Sequence, residues 1–494
     1  MKKIVIVGAG TAGLICAGIV NRFWEDDVQV KVIYNSQSKN IAVGESTTPI
    51  VHQALDIFQL RTEDLVNRSN TTVKLGVNFK DWIPGEEYFH GLLETRLLDF
   101  NQLVRNDDSS SIHCLLNDIK IKTSNYYQAT TTIPGDEFYE YSHSLHIDTQ
   151  ELSKLLFEKL ELEDNVEFID DIVENVNVDG ENIASIECKK SGNIDADLFI
   201  DASGFNCVLF KHLNPKWVDT SHILPIDRAI PQQVPMEFDK IPAYTLSEAT
   251  DNGWIWRIPL QDRYGTGYMY SSKFTSDEEA REKFNDWLVE NFNTELQTDR
   301  IIKYNPGYYE DYWIGNCLAV GLSSGFVEPL EATGIHILIK QIYDFVIFNS
   351  SLKNLSHNRN FMNSINRELY ECVVNFVCLL YDTNRTDSEF WRYMTANKSE
   401  WVKLFEEKCK EEYLDISIWG TNQARSVWDY DSYVQVADGL HLLNKESLRD
   451  LLEIKPNGQQ IVNASENVHE QEVQYREENK NWIDHKRVIE ANKY

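Results

Sequence analysis

Along this chain the spacing of apolar residues switches several times between a two-residue and a 3.6-residue period, and each switch marks an element. Residues 4–7 are an apolar run ending in glycines, 14–23 are apolar at helical spacing, and 28–34 return to a strand. The opening therefore predicts strand, tight turn, helix, strand. Residues 152–160 repeat at helical period, and 166–188 alternate as a hairpin with its turn at Asp179 and Gly180. The run "DADLFIDASGF" at 195–205 is a continuous apolar strand ending in small residues, as in a parallel sheet buried on both faces. Residues 234–275 read as antiparallel strands, 277–291 and 334–354 as helices, and the chain beyond 360 as mainly helical. A polar, irregular stretch rich in Asp, Ser and Thr covers 81–141. With no repeat, low-complexity segment or clean linker, the pattern predicts interleaved segments.

One alternating stretch stands out. In "GWIWRIP", Gly253 to Pro259, alternation places Trp254 and Trp256 on one face of a strand and Ile255 and Arg257 on the other. A half-buried strand with an aromatic face would explain this, because tryptophan suits pleated surfaces.

Composition narrows the function. The 494 residues are 42% apolar and 12% aromatic, enough for an ordinary core, and Lys+Arg 47 against Asp+Glu 78 gives a net charge of −31. That balance opposes nucleic-acid binding, which needs a basic stripe, and docking on an anionic membrane. None of the eight cysteines forms a CxxC pair, so no metal site is expected and reduced thiols in a cytoplasmic protein are. The N-terminal Lys pair and apolar run look like a signal peptide but lack its small-residue cleavage site. No other stretch approaches the apolar length of a membrane span.

The glycines of that opening have a different explanation. Gly8, Gly10 and Gly13 follow a strand and open a helix, the context a dinucleotide site requires. They serve the tight turn, the approach of backbone to pyrophosphate, and the packing of helix on strand. The free amides of the helix start, at Thr11 and Ala12, then face the phosphates. Where an acidic residue normally ends the second strand this chain has Tyr34 and Asn35, so Asn35 is the candidate for the ribose hydroxyl. Two later segments favour FAD over NAD. The turn after 195–201, with Asp201, resembles the second nucleotide contact of flavoproteins, and 315–337, with Gly321 and Gly325, resembles the segment along the ribityl chain and flavin ring.

Taken in order, GxGxxG, "GESTTP" (44–49), the lysine of "VKLGVNF", "WIWRIP" and "GFVEPLEATGI" resemble the flavin-dependent halogenases of the tryptophan-halogenase type. The resemblance runs from residue 4 to about 345, with a further echo in "RTDSEFWRYM" at 385–394. It implies an α/β fold: a Rossmann-like FAD-binding module of the flavoprotein monooxygenase type, an interleaved antiparallel sheet, and a mainly helical C-terminal region forming the substrate site. Segments 1–80, 142–210 and 296–350 would build the FAD module; 81–141, 211–295 and 351–494 would build the substrate region. In such enzymes FADH2, O2 and a halide (chloride, bromide or iodide) give hypohalous acid, which passes to a lysine beside an aromatic substrate. By this resemblance that lysine is Lys74, and Glu331 is the carboxylate beside the reacting carbon. Thr333 and Gly334 would hold halide, Gly44, Glu45 and Ser46 belong to a mobile strap over the flavin, and Trp254 and Trp256 would bar the organic substrate from the flavin.

The residues themselves suit these roles. An ammonium can polarise a hypohalous acid, or an amine can hold the halogen, while a carboxylate steadies a cationic ring and takes its proton. In one continuous strand, Lys74 would share a face with Gly76 and Asn78, leaving room beside it. The substrate region departs from the family pattern: His90 and Leu92 stand where a His and a Phe line an indole site, and Trp428 and Tyr430 are lid candidates. An indole-like or other electron-rich aromatic is expected, and free tryptophan is not. The absence of a second nucleotide fingerprint implies a separate NAD(P)H-dependent flavin reductase; homo-oligomerisation stays open. A flavin-dependent aromatic monooxygenase is the alternative, and a silent flavin-binding relic the third reading.

Overall fold

The computed structural model describes residues 1–38, 43–91, 132–134, 143–411, 427–428, 430–454, 456–464, 467 and 482–491. The chain divides into two interleaved compact units.

The first unit takes residues 1–71, 147–221 and 303–371. Its centre is a sheet in the order Trp313–Ile314, Cys317–Ala319, Leu198–Asp201, Lys2–Val7, Val28–Tyr34, Val166–Asp170, parallel except at its first pair. Leu198, Phe199 and Ile200 are fully buried, as the unbroken apolar run at 195–205 required. The helix Thr11–Trp24 follows the first strand and buries its apolar stripe, Leu14 to Val20. On one side of the sheet Val5, Ile33, Phe199 and Cys317 pack with Ile183, Ile186 and Phe210. The hairpin is shorter than the alternation suggested: Val173–Asp179 pairs with Asn182–Cys188, whereas Val166–Asp170 leaves it to pair in parallel with Val28–Tyr34. Continuous alternation across 166–188 could not reveal this change of partner.

The second unit takes residues 72–146, 222–302 and 372–494. Within it six consecutive strands of a seven-stranded sheet run Arg228–Pro235, Arg263–Tyr270, Gly253–Pro259, Tyr244–Thr250, Gly76–Lys80, Glu87–Gly91. All pairs are antiparallel except Tyr244–Thr250 with Gly76–Lys80. Helices Glu389–Ala396, Glu400–Glu411, Tyr430–Gly439 and Lys445–Ile454 make the C-terminal part mainly helical. The strand Trp482–Asp484 interrupts that pattern, pairing with Thr132–Pro134 and leading into the helix His485–Ala491. Among the described residues no helix is long and apolar enough to cross a membrane.

Candidate active site

The glycine turn meets the demands of a phosphate site. Gly8 has φ +114°, and a Cβ there would come within 2.3 Å of the Ala202 carbonyl oxygen; a Cβ on Gly13 would lie 1.8 Å from the Gly8 oxygen. These two glycines let strand, helix and the turn after Asp201 approach one another. Gly10 differs, because a Cβ there would meet nothing within 4 Å. Gly10 is the N-cap of the 14-residue helix, which has neither a side-chain cap nor an acidic first turn. Open space above uncapped amides fits the pyrophosphate of FAD. The Thr11 hydroxyl pairs with Ser153 at 3.3 Å, and Ala12 beside it is half-buried.

Asp201 works through its own turn. Its fully buried carboxylate accepts from the Ser203 amide (3.1 Å) and hydroxyl, from the amides of Leu209 (2.7 Å) and Phe210 (2.9 Å), and from Ser323 Oγ (3.2 Å). It therefore shapes the backbone from 201 to 210, where sequence reasoning placed a direct cofactor contact. Asn35 is exposed, and its Oδ1 accepts from the Gln37 amide at 3.0 Å. Gly321, at φ +56°, donates its amide to Gln341 Oε1 at 3.1 Å. Gly325 lies under Tyr308, where a Cβ would sit 2.5 Å away.

Two consecutive non-glycine residues, Glu331 (φ 64°, ψ 17°) and Ala332 (φ 62°, ψ 36°), stand in the left-handed region. Each such residue costs about 1–3 kcal/mol, and strain of this kind gathers at functional sites. The kink starts the helix Thr333–Phe348 abruptly, presenting the amides of Thr333 and Gly334, and a Cβ at Gly334 would meet nothing within 4 Å. Amides exposed at a kinked helix start form a concavity suited to an anion. Glu331 is 3% exposed, and Glu328, also buried, accepts from the Thr333 hydroxyl at its carbonyl. The 44–49 segment carries a buried Gly44 at φ +85°, an exposed Glu45 and a half-buried Ser46. Near its end the hydroxyl of Thr48 shares a 2.8 Å hydrogen bond with His336 Nδ1.

In the second unit, Lys74 has no exposed surface. The expected continuous strand breaks at Leu75, whose amide turns to the Ala243 carbonyl at 2.7 Å. The result is two strands in different sheets: Thr72–Lys74 pairs with Ser144–Ile147, and Gly76–Lys80 with Tyr244–Thr250. Nor does Gly76 leave room, because a Cβ there would meet the Phe89 ring and the His90 carbonyl at 2.4 Å. Two histidines that sequence reasoning missed hold the short strand. The Thr72 hydroxyl donates to the Pro259 carbonyl at 2.6 Å, so the His146 Nδ1–H donates to Thr72 Oγ1 at 3.1 Å and Nε2 accepts from Thr245 at 3.0 Å. Burial, with Lys74 and His485 nearby, holds His146 well below the usual imidazole range. The Val73 amide donates to His485 Nε2 at 3.0 Å, leaving Nδ1–H to face the Ile241 carbonyl at 3.3 Å. Burial pushes His485 down to about 4. Neither histidine carried a motif; a long-range pairing was the only signal, and one sequence does not display it.

Pro259 closes the tryptophan strand, so Thr72 joins the two motifs directly. Trp254 and Trp256 do share a face, their rings 6.3 Å apart and edge-on. Apart from half-buried Arg257, however, both faces of this central strand are buried, where a half-buried strand would expose one. The Trp256 ring lies over Gly267, 2.1 Å from where a Cβ would stand. Trp254 Nε1 is buried with no hydrogen-bond partner among the described residues.

His90 is buried and lies 5.9 Å from Phe376, on which Trp428 stacks at 3.8 Å and Tyr433 packs edge-on at 4.8 Å. One face of Trp428 is thus committed to Phe376, a residue that no motif marks within its long helix. Leu92 and the side chain of Tyr430 lie outside the described residues.

A tryptophan halogenase family model matches residues 3–455. The chain belongs to the tryptophan halogenase family. It is 30% identical over 424 residues to the tryptophan 6-halogenase SttH of Streptomyces toxytricini, covering 79% of this chain and 80% of that one. It is equally 30% identical over 437 residues to the tryptophan 7-halogenase RebH of Lentzea aerocolonigenes, covering 81% and 79%. The crystal structure of a tryptophan halogenase from Shewanella frigidimarina shares the fold, with TM-score 0.85 over 100% of this chain and 98% of that one at 23% identity. The tryptophan halogenase family is flavin-dependent, so this protein is an enzyme of the flavin-dependent halogenase type with a Rossmann-like FAD-binding fold.

Proposed function

We propose that this enzyme halogenates an electron-rich, indole-type aromatic, with Lys74 and Glu331 as its catalytic residues and FADH2 supplied by a separate NAD(P)H-dependent reductase. When bound, reduced flavin supplies the two electrons by which O2, halide and three protons become hypohalous acid and water. Gly10 and the amides of Thr11 and Ala12 would seat the FAD pyrophosphate, and the amides of Thr333 and Gly334 the halide.

The observation that carries this reading is the burial of Lys74 on a strand of three residues. Lysine is seldom fully buried, because its charge then has to be paired, so the complete burial of Lys74 sets it apart from an ordinary surface lysine beside a strand. Its ammonium would donate to the oxygen of hypohalous acid, or its amine would hold the halogen; either way oxygen departs as water. The ring carbon then forms its bond to halogen as the halogen–oxygen bond, or the halogen–nitrogen bond, breaks. Glu331 would steady the positive charge on the ring and receive the proton displaced from that carbon. Trp254 and Trp256 would keep organic substrate from the flavin, so that halide reacts there instead. The test incubates enzyme, flavin reductase, NADH, FAD and bromide with a panel of indoles and reads products by mass spectrometry. Brominated arenes are expected. Hydroxylated products without brominated ones would establish a monooxygenase in its place.

A further inference from the structure

The helix His485–Ala491 and its leading strand are not used by the reaction as described, yet they reach the lysine strand. Val488 packs against the buried cluster of Val73, Leu75, Phe89 and Ala243. Asp484 caps the helix by accepting from the Arg487 amide at 3.0 Å, and Lys486 Nζ donates to the Phe238 carbonyl at 2.5 Å. These contacts fix the helix start, and with it His485, which is fully buried. Its Nε2 takes the amide of Val73, the residue before Lys74, across 412 positions of sequence. A strand of three residues has few ladder hydrogen bonds to hold its register. Thr72 is secured by His146 and Pro259, Val73 by His485, and Leu75 by Ala243.

We propose that His485 is a positioning residue for halogen transfer: by accepting the Val73 amide it fixes the direction in which the Lys74 side chain leaves the strand. The proposal rests on the assignment of Lys74 as the reactive lysine. An amide left without this acceptor would tilt toward another partner, and the Cα–Cβ bond of the next residue would turn with it. A displacement of about 1 Å is enough to cost a hundredfold in an oriented reaction. Hypohalous acid formation at the flavin does not involve this strand and should be unaffected. The signature is therefore a change in partition: the same hypohalous acid, with less of it reaching the aromatic ring.

The test compares His485→Gln, whose Oε1 reaches close to the Nε2 position, with His485→Asn, whose carbonyl falls short of it. Each is assayed with FAD, reductase and bromide, measuring brominated indole and hypohalous acid intercepted by a soluble trap. For His485→Asn we expect total oxidised bromide unchanged and brominated arene down about tenfold, with KM for the arene nearly constant. His485→Gln should recover to within about threefold of wild type. Val488→Ala loosens the same helix while leaving the hydrogen bond, and should leave the partition unchanged. If His485→Asn partitions as wild type, or if Val488→Ala alters partition as much as His485→Asn, the positioning role is overturned. Should His485→Asn fail to fold, loss of brominated arene in a folded His485→Gln would overturn it too. Lys74→Ala separates the two levels: full activity in that variant refutes the lysine assignment, whereas an inactive Lys74→Ala beside an unaffected His485→Asn refutes this inference alone.

Discussion

Thr48 Oγ1 lies 2.8 Å from His336 Nδ1, fastening the end of the 44–49 segment to the first turn of the helix that begins after Glu331. Burial, with a smaller contribution from Lys340, pushes His336 down to about 3, so the ring is neutral near pH 7 and the bond is one between neutral groups. Such a bond contributes about 1 kcal/mol net. Thr48→Val should therefore weaken FAD binding about fivefold in a flavin-fluorescence titration, if the segment covers the flavin as proposed. An unchanged affinity would separate this fastening from cofactor binding.

The glycines of the first turn should fail in different ways. Gly13→Ala puts a Cβ 1.8 Å from the Gly8 oxygen, a backbone clash that nothing flexible can absorb. It should lower the melting temperature by several degrees and abolish FAD binding. Gly10→Ala meets nothing in the protein. It should melt as wild type yet bind FAD at least tenfold more weakly, because the methyl occupies the side from which the phosphate approaches. Wild-type affinity in Gly10→Ala, read by equilibrium dialysis, would move the phosphate elsewhere.

Lys74→Ala should continue to consume reduced flavin and form hypohalous acid while aryl halogenation falls by at least a hundredfold. Glu331→Gln should keep FAD affinity and the trapped-acid yield but lose most of its turnover, since the amide neither balances ring charge nor accepts the proton. Both are read by combining the soluble trap with mass spectrometry of the arene. Normal turnover in either variant removes that residue from the reaction.

Truncating buried Trp254 or Trp256 to alanine costs about 3–5 kcal/mol each, so phenylalanine is the informative replacement. The double phenylalanine variant should bind FAD normally, and oxygenated arene should increase relative to halogenated arene. If oxygenation does not rise, the two indoles serve packing alone: Trp256 covers Gly267, and Trp254 fills the layer beside it.

Acid should destabilise the fold through its buried histidines. His485 and His336 have native values of about 4 and about 3, against about 6.5 for a solvated imidazole, and His146 is also depressed. Below pH of about 6.5 the unfolded chain binds these protons and the native chain does not, so stability falls as pH falls. Their contribution is present in full above about pH 6.5 and is lost progressively toward about 4 for His485 and about 3 for His336. Each can add a slope of up to about 1.4 kcal/mol per pH unit. Urea unfolding at pH 5 and pH 7 should show it, and His485→Gln should remove one share; a slope unchanged from wild type in His485→Gln would contradict the assignment.

Local pattern made the fold class readable. The buried run at 195–201, the glycine turn and the alternating strands of 234–275 each depend on neighbours in sequence, and the structure places them in one mainly parallel and one mainly antiparallel sheet. Where the reading went astray, a partner distant in sequence decided the matter. Alternation through 72–80 is real, but Ala243 captures the Leu75 amide and splits one expected strand into two. Val166–Asp170 alternates like its neighbours yet pairs with Val28–Tyr34. Lys74 and Glu331 could be singled out by motif, whereas His146, His485 and Phe376 carry none. The left-handed backbone at Glu331 and Ala332 was equally hidden, since neither residue type advertises that conformation.

The 412 positions between Val73 and His485 also set an order of events in the making of the protein. A ribosome adding about 5–20 residues per second needs roughly 20–80 s to travel that distance. At the start of that interval the nascent chain has Gly8, Gly10, Gly13 and, one residue on, Lys74; the tryptophan strand follows part-way through, and the imidazole that accepts the Val73 amide comes only at its end. If Lys74 is the reactive amine and His485 aims it, the amine is made long before the residue that directs it, and an unfinished chain that captures flavin would lack the means to direct what the flavin makes.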